Sequence, residues 1–265
     1  MVNLYTPERS FQAFKQAIVD CADTSSPTGA FLMNRETIGG NTLEEFYIPF
    51  DYVNENAKIF VIGITPGVTQ WTNAVEEAQK AINEGCSDEE TLRRAKTTGA
   101  FSGDLRSNLV KMMDYIGLNV FLNLDTCAEL FEAKADLAHL TSSFVNPILS
   151  NGKDYNGSVP KLNLKKQVIL QNSLTNGILK EIEAVPNALY LPLGRVPNEL
   201  FGQFVANHQI DPQKVLLGMP HPSKASAERV ACFLDKKTSG FSRVTDPVKI
   251  HAARAALIEQ VKHFM

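Results

Sequence analysis

The chain carries four short apolar runs that are continuous rather than alternating, at residues 58–64, 119–124, 188–193 and 214–217. Unbroken runs of Val, Ile, Leu and Phe suit strands that are buried on both faces, as in a parallel sheet covered by helices. Between them lie segments of helical period at 68–96, 104–116, 162–183 and 197–206. A last helix follows where Asp246 caps and Pro247 takes the first turn. The resulting order, β-α-β-α-β-α-β-α, predicts a three-layer α/β/α architecture around a central four-stranded parallel sheet. Right-handed crossovers then bring every strand's C-terminal end to one edge, where ligands bind. Function is expected just after the strands.

Two stretches interrupt the pattern. Residues 70–98 are polar and helical, with a break at Gly85-Cys86-Ser87-Asp88, and residues 141–160 are rich in Asn, Gly, Ser and Pro. There is no internal repeat, low-complexity tract, heptad run or linker composition. With 265 residues and 44% apolar content, the chain is expected to form one domain over 1–265 with a helical insertion at about 70–98.

Cys21, Cys86, Cys127 and Cys232 lie far apart with no C-x-x-C pair, so spacing suggests neither a zinc nor an iron–sulfur site. No metal or organic cofactor is expected. The first residues lack a basic segment followed by an apolar one, and no apolar run reaches bilayer length. The cytoplasm is the expected compartment. A formal charge of −3 argues against bulk electrostatic binding of nucleic acid. The charge is uneven, however: from His221 onward eight Lys and Arg face four Asp and Glu, giving +4 there and −7 before it. One basic face on an acidic body suits a transient nucleic-acid binder, and an ordinary solvated helix surface accounts for the charge equally well.

The first strand runs into Gly63-Ile64-Thr65-Pro66-Gly67, where glycines let the backbone turn sharply and aim N–H groups at a ligand. No Walker loop, dinucleotide fingerprint or G-x-S-x-G elbow occurs, which disfavours three common α/β enzyme classes. The fourth run ends in Gly218-Met219-Pro220-His221-Pro222-Ser223. A histidine between two prolines has little use in a core, and its imidazole can donate to an oxyanion forming on a departing base.

A strand ending in Gly63-Ile64-Thr65-Pro66-Gly67 and a later one ending in Gly218-Met219-Pro220-His221-Pro222-Ser223 resemble the uracil-DNA glycosylase superfamily. The likeness is strongest to its single-strand-selective monofunctional branch, and it covers the chain from about residue 58 onward. The apolar run closed by Asn123, with Cys127 nearby, is similar to the family's second strand, which implies that Asn123 reads the edge of a flipped pyrimidine. Thr98-Gly99-Ala100-Phe101-Ser102-Gly103 resembles the family's aromatic loop, implying that Phe101 stacks on that base, with Ile64 and Gly67 beside it. Without the resemblance, Phe101 is as readily a local core plug. Residues 152–160 and 193–196 resemble the loop before the family's long helix and its third strand. The segment 222–229 resembles its DNA-intercalating loop, which implies phosphate contacts from Ser223, Lys224, Ser226 and Arg229, although a capped helix with surface charges would read the same.

One position departs from the pattern. The family usually has Asn or Asp where Thr65 stands, and a threonine hydroxyl holds a water but cannot accept its proton near pH 7, so general-base help of roughly 10²-fold would be missing. Asp125 and Asp104 are candidate replacements. The resemblance thus implies a monomeric, cofactor-free DNA glycosylase that hydrolyses the N-glycosidic bond of uracil or a modified base. In it His221 stabilises the leaving anion, and Thr65 with the Gly67 amide positions water or base. The alternative is a catalytically weak DNA-damage-binding member. A small-molecule hydrolase using His221 with Ser223 or Asp125 is disfavoured, because adjacent His and Ser point different ways on so tight a turn.

Overall fold

The computed structural model describes residues 4–265. In chain order it runs through α1 (Phe11–Val19), β1 (Leu32–Ile38), β2 (Asn41–Phe46), β3 (Ile59–Gly63), α2 (Val68–Asn83), α3 (Asp88–Gly99), α4 (Asp104–Tyr115) and α5 (Leu118–Phe121). There follow β4 (Ala138–Ser142), β5 (Ile148–Ser150), β6 (Lys153–Asp154), α6 (Val168–Asn176), α7 (Ile178–Ala184) and β7 (Leu189–Pro192). The chain closes with α8 (Arg195–Ala206), α9 (Ala227–Phe233) and α10 (Pro247–Lys262). The fold is mixed α/β, and its backbone gathers into two compact units. The first comprises Met1–Glu55, Ile64–Ser102 and Leu140–Pro186, and the second Asn56–Gly63, Gly103–His139 and Asn187–Met265.

The first unit is built on an antiparallel sheet of order β1-β2-β5-β6. Gly39 and Gly40, both at positive φ, supply the two-residue turn that joins β1 to β2, with Ile38 opposite Asn41. Helices α2 and α3 of the same unit correspond to the polar insertion. Their break falls at Gly85, φ +75°, and Ser87 restarts the helix by accepting a hydrogen bond from Glu90 N, with Asp88, Glu89 and Glu90 in the first turn facing the helix dipole. Trp71 is completely buried and packs edge-on against Phe31, and its Nε1–H donates to Tyr47 O at 2.9 Å. Lys96, also buried, donates through Nζ to Phe50 O (3.0 Å) and Tyr52 O (2.7 Å) and lies 3.4 Å from Glu181 Oε1, which accepts from Tyr5 OH.

In the second unit β3 and β7 pair in parallel, Ile59 opposite Leu189 through Ile62 opposite Pro192. With β4 they make a parallel sheet of order β4-β3-β7. The four apolar side chains of β3 from Ile59 to Ile62 are fully buried, each worth about 1.5–3 kcal/mol in transfer from water. Phe60 stacks on His139 and meets Tyr190 edge-on.

Several expectations are corrected. Residues 119–124 are not a strand: Gly117, in the left-handed region, ends α4 and starts α5, and Leu118 and Leu122 bury one side four residues apart while Val120 is 62% exposed. That spacing is helical. The strand beside β3 is β4, Ala138-His139-Leu140-Thr141-Ser142, every residue of it buried despite its polar content. Strands β5 and β6, which belong to the antiparallel sheet, fall inside 141–160, the stretch expected to interrupt the pattern. Residues 214–217 contribute only an isolated parallel bridge, Tyr190 to Val215, with Lys214 in a 3-10 turn and Leu217 exposed. Residues 162–183 form two helices broken at Gly177 rather than one.

Candidate functional site

Within the second unit, the end of β7 and the turn that carries His221 are tied together by one side chain. Asn198, in the first turns of α8, donates from Nδ2 to Gly194 O (2.6 Å) and Pro192 O (3.0 Å) and accepts through Oδ1 from Gly218 N at 2.6 Å. Gly194 N adds a bond to Met219 O at 2.9 Å. Two glycines make the approach possible. Gly194 has φ +78° and ψ −177°, a region open only to glycine, and a Cβ on Gly218 (φ +110°) would meet the Cβ of Ala253 at 2.7 Å. Asn198 escapes a reading of the sequence alone. Its one signal is an asparagine in a helix interior, where the side chain is a poor helix former unless it is hydrogen-bonding elsewhere.

Past Gly218 the chain enters Met219-Pro220-His221-Pro222-Ser223. Pro222 O accepts from Asn108 Nδ2 of α4 at 2.9 Å, which anchors the turn from its other side. The His221 imidazole is largely enclosed, and that desolvation lowers its pKa to about 4. Its Nδ1 accepts a hydrogen bond from Ser223 N at 3.3 Å. An acceptor at Nδ1 fixes the neutral ring as the Nε2–H tautomer, leaving a single N–H donor to offer.

His221 lines an open cavity of about 470 Å³ together with Gly194, Asn198, Ser226, Arg229 and Lys249. Arg195 also reaches it, pairing with Glu199 at 3.2 Å on the exposed face of α8. Among the described residues the guanidinium of Arg229 meets no carboxylate. It donates from Nη2 to Val244 O at 3.1 Å, so its charge is uncompensated within the unit. Lys224 instead pairs with Asp104 at 2.6 Å, both side chains largely exposed, and Asp104 does not line this cavity. Ser226 is buried and Ser223 half-buried at the start of the same segment. Asn123 and Asp125 are exposed in the turn after α5, Asn123 at φ +55°, and neither lines this cavity. The asparagine that does follow the second strand of the parallel sheet is Asn146, buried, with Oδ1 accepting from Ile48 N at 3.3 Å.

The remaining residues singled out in the sequence belong to the first unit. The Thr65 hydroxyl donates to Asn146 O and accepts from Ile148 N, both at 2.9 Å, and so staples its loop to the segment leading into β5. Ile64 O accepts from Phe144 N at 2.9 Å. Gly67 caps α2, its N–H donating to Gln70 Oε1 at 2.9 Å, and the carboxylate of Asp154 accepts from Val68 N at 3.1 Å. The other oxygen of Asp154 stands where a side chain on Gly67 would have to go, 2.6 Å from an added Cβ. Phe101 is buried in the turn after α3 at φ +51°. Ser102 beside it accepts from Asn73 Nδ2 at 2.8 Å.

No family model matches the chain, and no solved structure gives a significant match. It is similar to a protein of Bacillus subtilis (strain 168) named Uncharacterized protein YoxB, 28% identical over 227 residues, which cover 83% of this chain and 86% of that protein. Among the described residues no helix is long and apolar enough to cross a membrane.

Proposed function

We propose that the protein is a monofunctional DNA glycosylase that hydrolyses the N-glycosidic bond of uracil or a modified base flipped out of DNA, acting as a cytoplasmic monomer. The observation that carries the reading is the state of His221: a neutral imidazole with its one N–H at Nε2, held on a proline-stiffened turn in a cavity edged by uncompensated Arg229. When the C1′–N bond breaks, its electron pair leaves with the base and the negative charge spreads to the base oxygens, while water supplies the new bond to C1′ and loses a proton to solvent. A neutral N–H donor fixed in a partly desolvated site stabilises that anion more in the transition state than in the ground state. Arg229 and Lys249 suit phosphate oxygens on either side of the flipped nucleotide. The strand order β4-β3-β7, extended by the Tyr190–Val215 bridge, supports a four-stranded reading of the sheet. The roles of Ile64, Gly67 and Phe101 at the base rest on the resemblance.

The deciding experiment incubates the protein with labelled oligonucleotides carrying uracil, hydroxymethyluracil or xanthine, cleaves abasic sites with alkali, and is repeated with His221→Ala. Strand breaks that need His221 are the expected result, and their absence on every substrate overturns the reading. One observation favours the second reading, a damage-binding protein of little catalytic power: the Thr65 hydroxyl commits its one proton to the Asn146 carbonyl and accepts from Ile148 N, both backbone groups. That reading is met by tight binding to abasic DNA without base release.

A further inference from the structure

A base that leaves the stack leaves a gap, and proteins that flip or kink duplex DNA fill it with an apolar side chain inserted between base steps. The segment after His221 presents no exposed apolar side chain able to fill such a gap, since Pro222 is buried and Ser223-Lys224-Ala225-Ser226-Ala227-Glu228-Arg229 contains nothing apolar larger than alanine. The second unit does present one beside it. Val244 is 68% exposed, on the loop between α9 and α10.

This loop is held rather than free. Glu228, in the first turn of α9, accepts from Ser242 N at 3.2 Å and from Ser242 Oγ, and it also pairs with Lys237 at 2.7 Å. Those contacts pull the Glu228 carboxyl down to a pKa of about 2, so the clamp keeps its charge. Arg229 reaches the Val244 carbonyl, Thr245 is buried, and Asp246 caps α10 by accepting from Lys249 N at 3.1 Å. With its backbone fixed at Ser242, Val244 and Asp246, the Val244 side chain is committed to solvent by its own loop. An isolated exposed valine is commonplace. Four features set this one apart: a pinned backbone, an adjoining Arg243 that is exposed and has no protein partner among the described residues, Lys249 in the first turn of α10, and a tie to Arg229. A second cavity of about 310 Å³, lined by Ala225, Ser226, Arg229 and Val244, shares Ser226 and Arg229 with the His221 cavity, so the two adjoin.

We infer that Val244 is the wedge that occupies the gap in a DNA duplex when a nucleotide enters the His221 cavity, with Arg243 and Lys249 on the phosphates flanking that step. The inference rests on the glycosylase reading and adds to it which segment opens the duplex. The occupant is a base-paired duplex, since an exposed apolar side chain on a pinned loop, next to Arg243 in the chain and tied to Arg229, with Lys249 3.7 Å from Asp246 in the following turn, matches a stacked apolar core flanked by phosphate.

A wedge matters only where there is stacking and pairing to disrupt, so the diagnostic quantity is the ratio of the base-release rate on duplex to that on single-stranded oligonucleotides of the same sequence. Val244→Ser is expected to lower that ratio about tenfold or more, because unstacking a step opposes flipping on duplex alone. Val244→Leu, which keeps an apolar wedge, is expected to restore it, and Val248→Ser, on the exposed first turn of α10, to leave it unchanged. Fluorescence of 2-aminopurine placed beside the target base reports unstacking directly, and is expected to rise with the wild-type protein and with Val244→Leu but not with Val244→Ser. A wild-type protein that releases base with the same ratio and the same fluorescence as Val244→Ser overturns the wedge alone, as does a wild-type protein active only on single strands. No His221-dependent release from either form overturns the glycosylase reading and the wedge with it.

Discussion

A side chain on Gly194 would place its Cβ 2.7 Å from the Cβ of His221. The glycine at the end of β7 is therefore what allows the histidine turn to lie against the start of α8. Its dihedrals add a second constraint, because φ +78° with ψ −177° is closed to residues that carry a Cβ. Gly194→Ala is expected to cost about 1–3 kcal/mol in backbone strain alone, read by denaturant unfolding. It should also displace the imidazole, abolishing any His221-dependent activity even in the fraction that stays folded. Full activity with unchanged stability would show that the turn adapts to the added methyl.

The protonation of His221 gives a pH signature. Its folded pKa of about 4 lies below the ordinary 6.5, so on acidification the unfolded chain takes up the proton first. The stability contributed by keeping the ring neutral is thus fully present above about 6.5, is lost as the pH falls, and changes no further below about 4. Activity limited by the neutral ring should be level from pH 8 to about 5 and decline toward 4. Imidazole ¹⁵N shifts at pH 7 should show a protonated Nε2 and an unprotonated Nδ1. An imidazolium signal at pH 6 would refute both statements.

Thr65→Val removes a hydroxyl that pairs two backbone groups, Asn146 O and Ile148 N. Leaving both unmatched is expected to destabilise the protein by about 2–4 kcal/mol, whereas Thr65→Ser keeps the hydroxyl and should cost less than half as much. Thermal unfolding of the pair separates this stapling role from any chemistry. Equal melting of the two variants would mean the hydroxyl bonds contribute nothing.

Asn198→Asp keeps the acceptor for Gly218 N but replaces the donor that faces two carbonyl oxygens, Gly194 O and Pro192 O, with a carboxylate oxygen. The repulsion should cost about 2 kcal/mol or more, and Asn198→Ala, which removes the bonds without adding charge, should be the milder change at pH 7. Lowering the pH should recover part of the loss in Asn198→Asp only, as its carboxyl protonates. Unfolding midpoints at pH 5 and pH 8 decide it.

The parts of the fold legible in the sequence are those where local chemistry and tertiary environment agree. Strands β3 and β7 are unbroken apolar runs buried on both sides, and the Gly85 break and the Asp246-Pro247 start of α10 are decided by two or three neighbouring residues. Strand β4 is hidden because His139, Thr141 and Ser142 are buried polar residues, whose place only the rest of the molecule determines. Residues 119–124 mislead for the opposite reason: Val120, Phe121 and Leu122 are consecutive apolar residues, and Val120 is simply left in water. At the site, flanking prolines announce the His221 turn, while Asn198 joins a carbonyl six positions before it to an amide twenty positions after it, which no local pattern records. The charge of +4 after His221 is readable, but not that Arg229 spends its guanidinium on a loop carbonyl fifteen residues on.

Residues 70–98 look in sequence like a graft on a finished domain. The indole of Trp71 holds the Tyr47 carbonyl, Gln79 donates to Ile18 O (2.8 Å) and Cys21 O (2.7 Å), and the ammonium of Lys96 holds Phe50 O and Tyr52 O. A hinged cover must be able to let go of what it rests on, and this segment cannot lift without breaking side-chain bonds to five backbone carbonyls and the contact of Lys96 with a buried carboxylate at once. It is the keystone of the first unit: a chain trimmed of it would lose that unit, and with it the loop that carries Thr65.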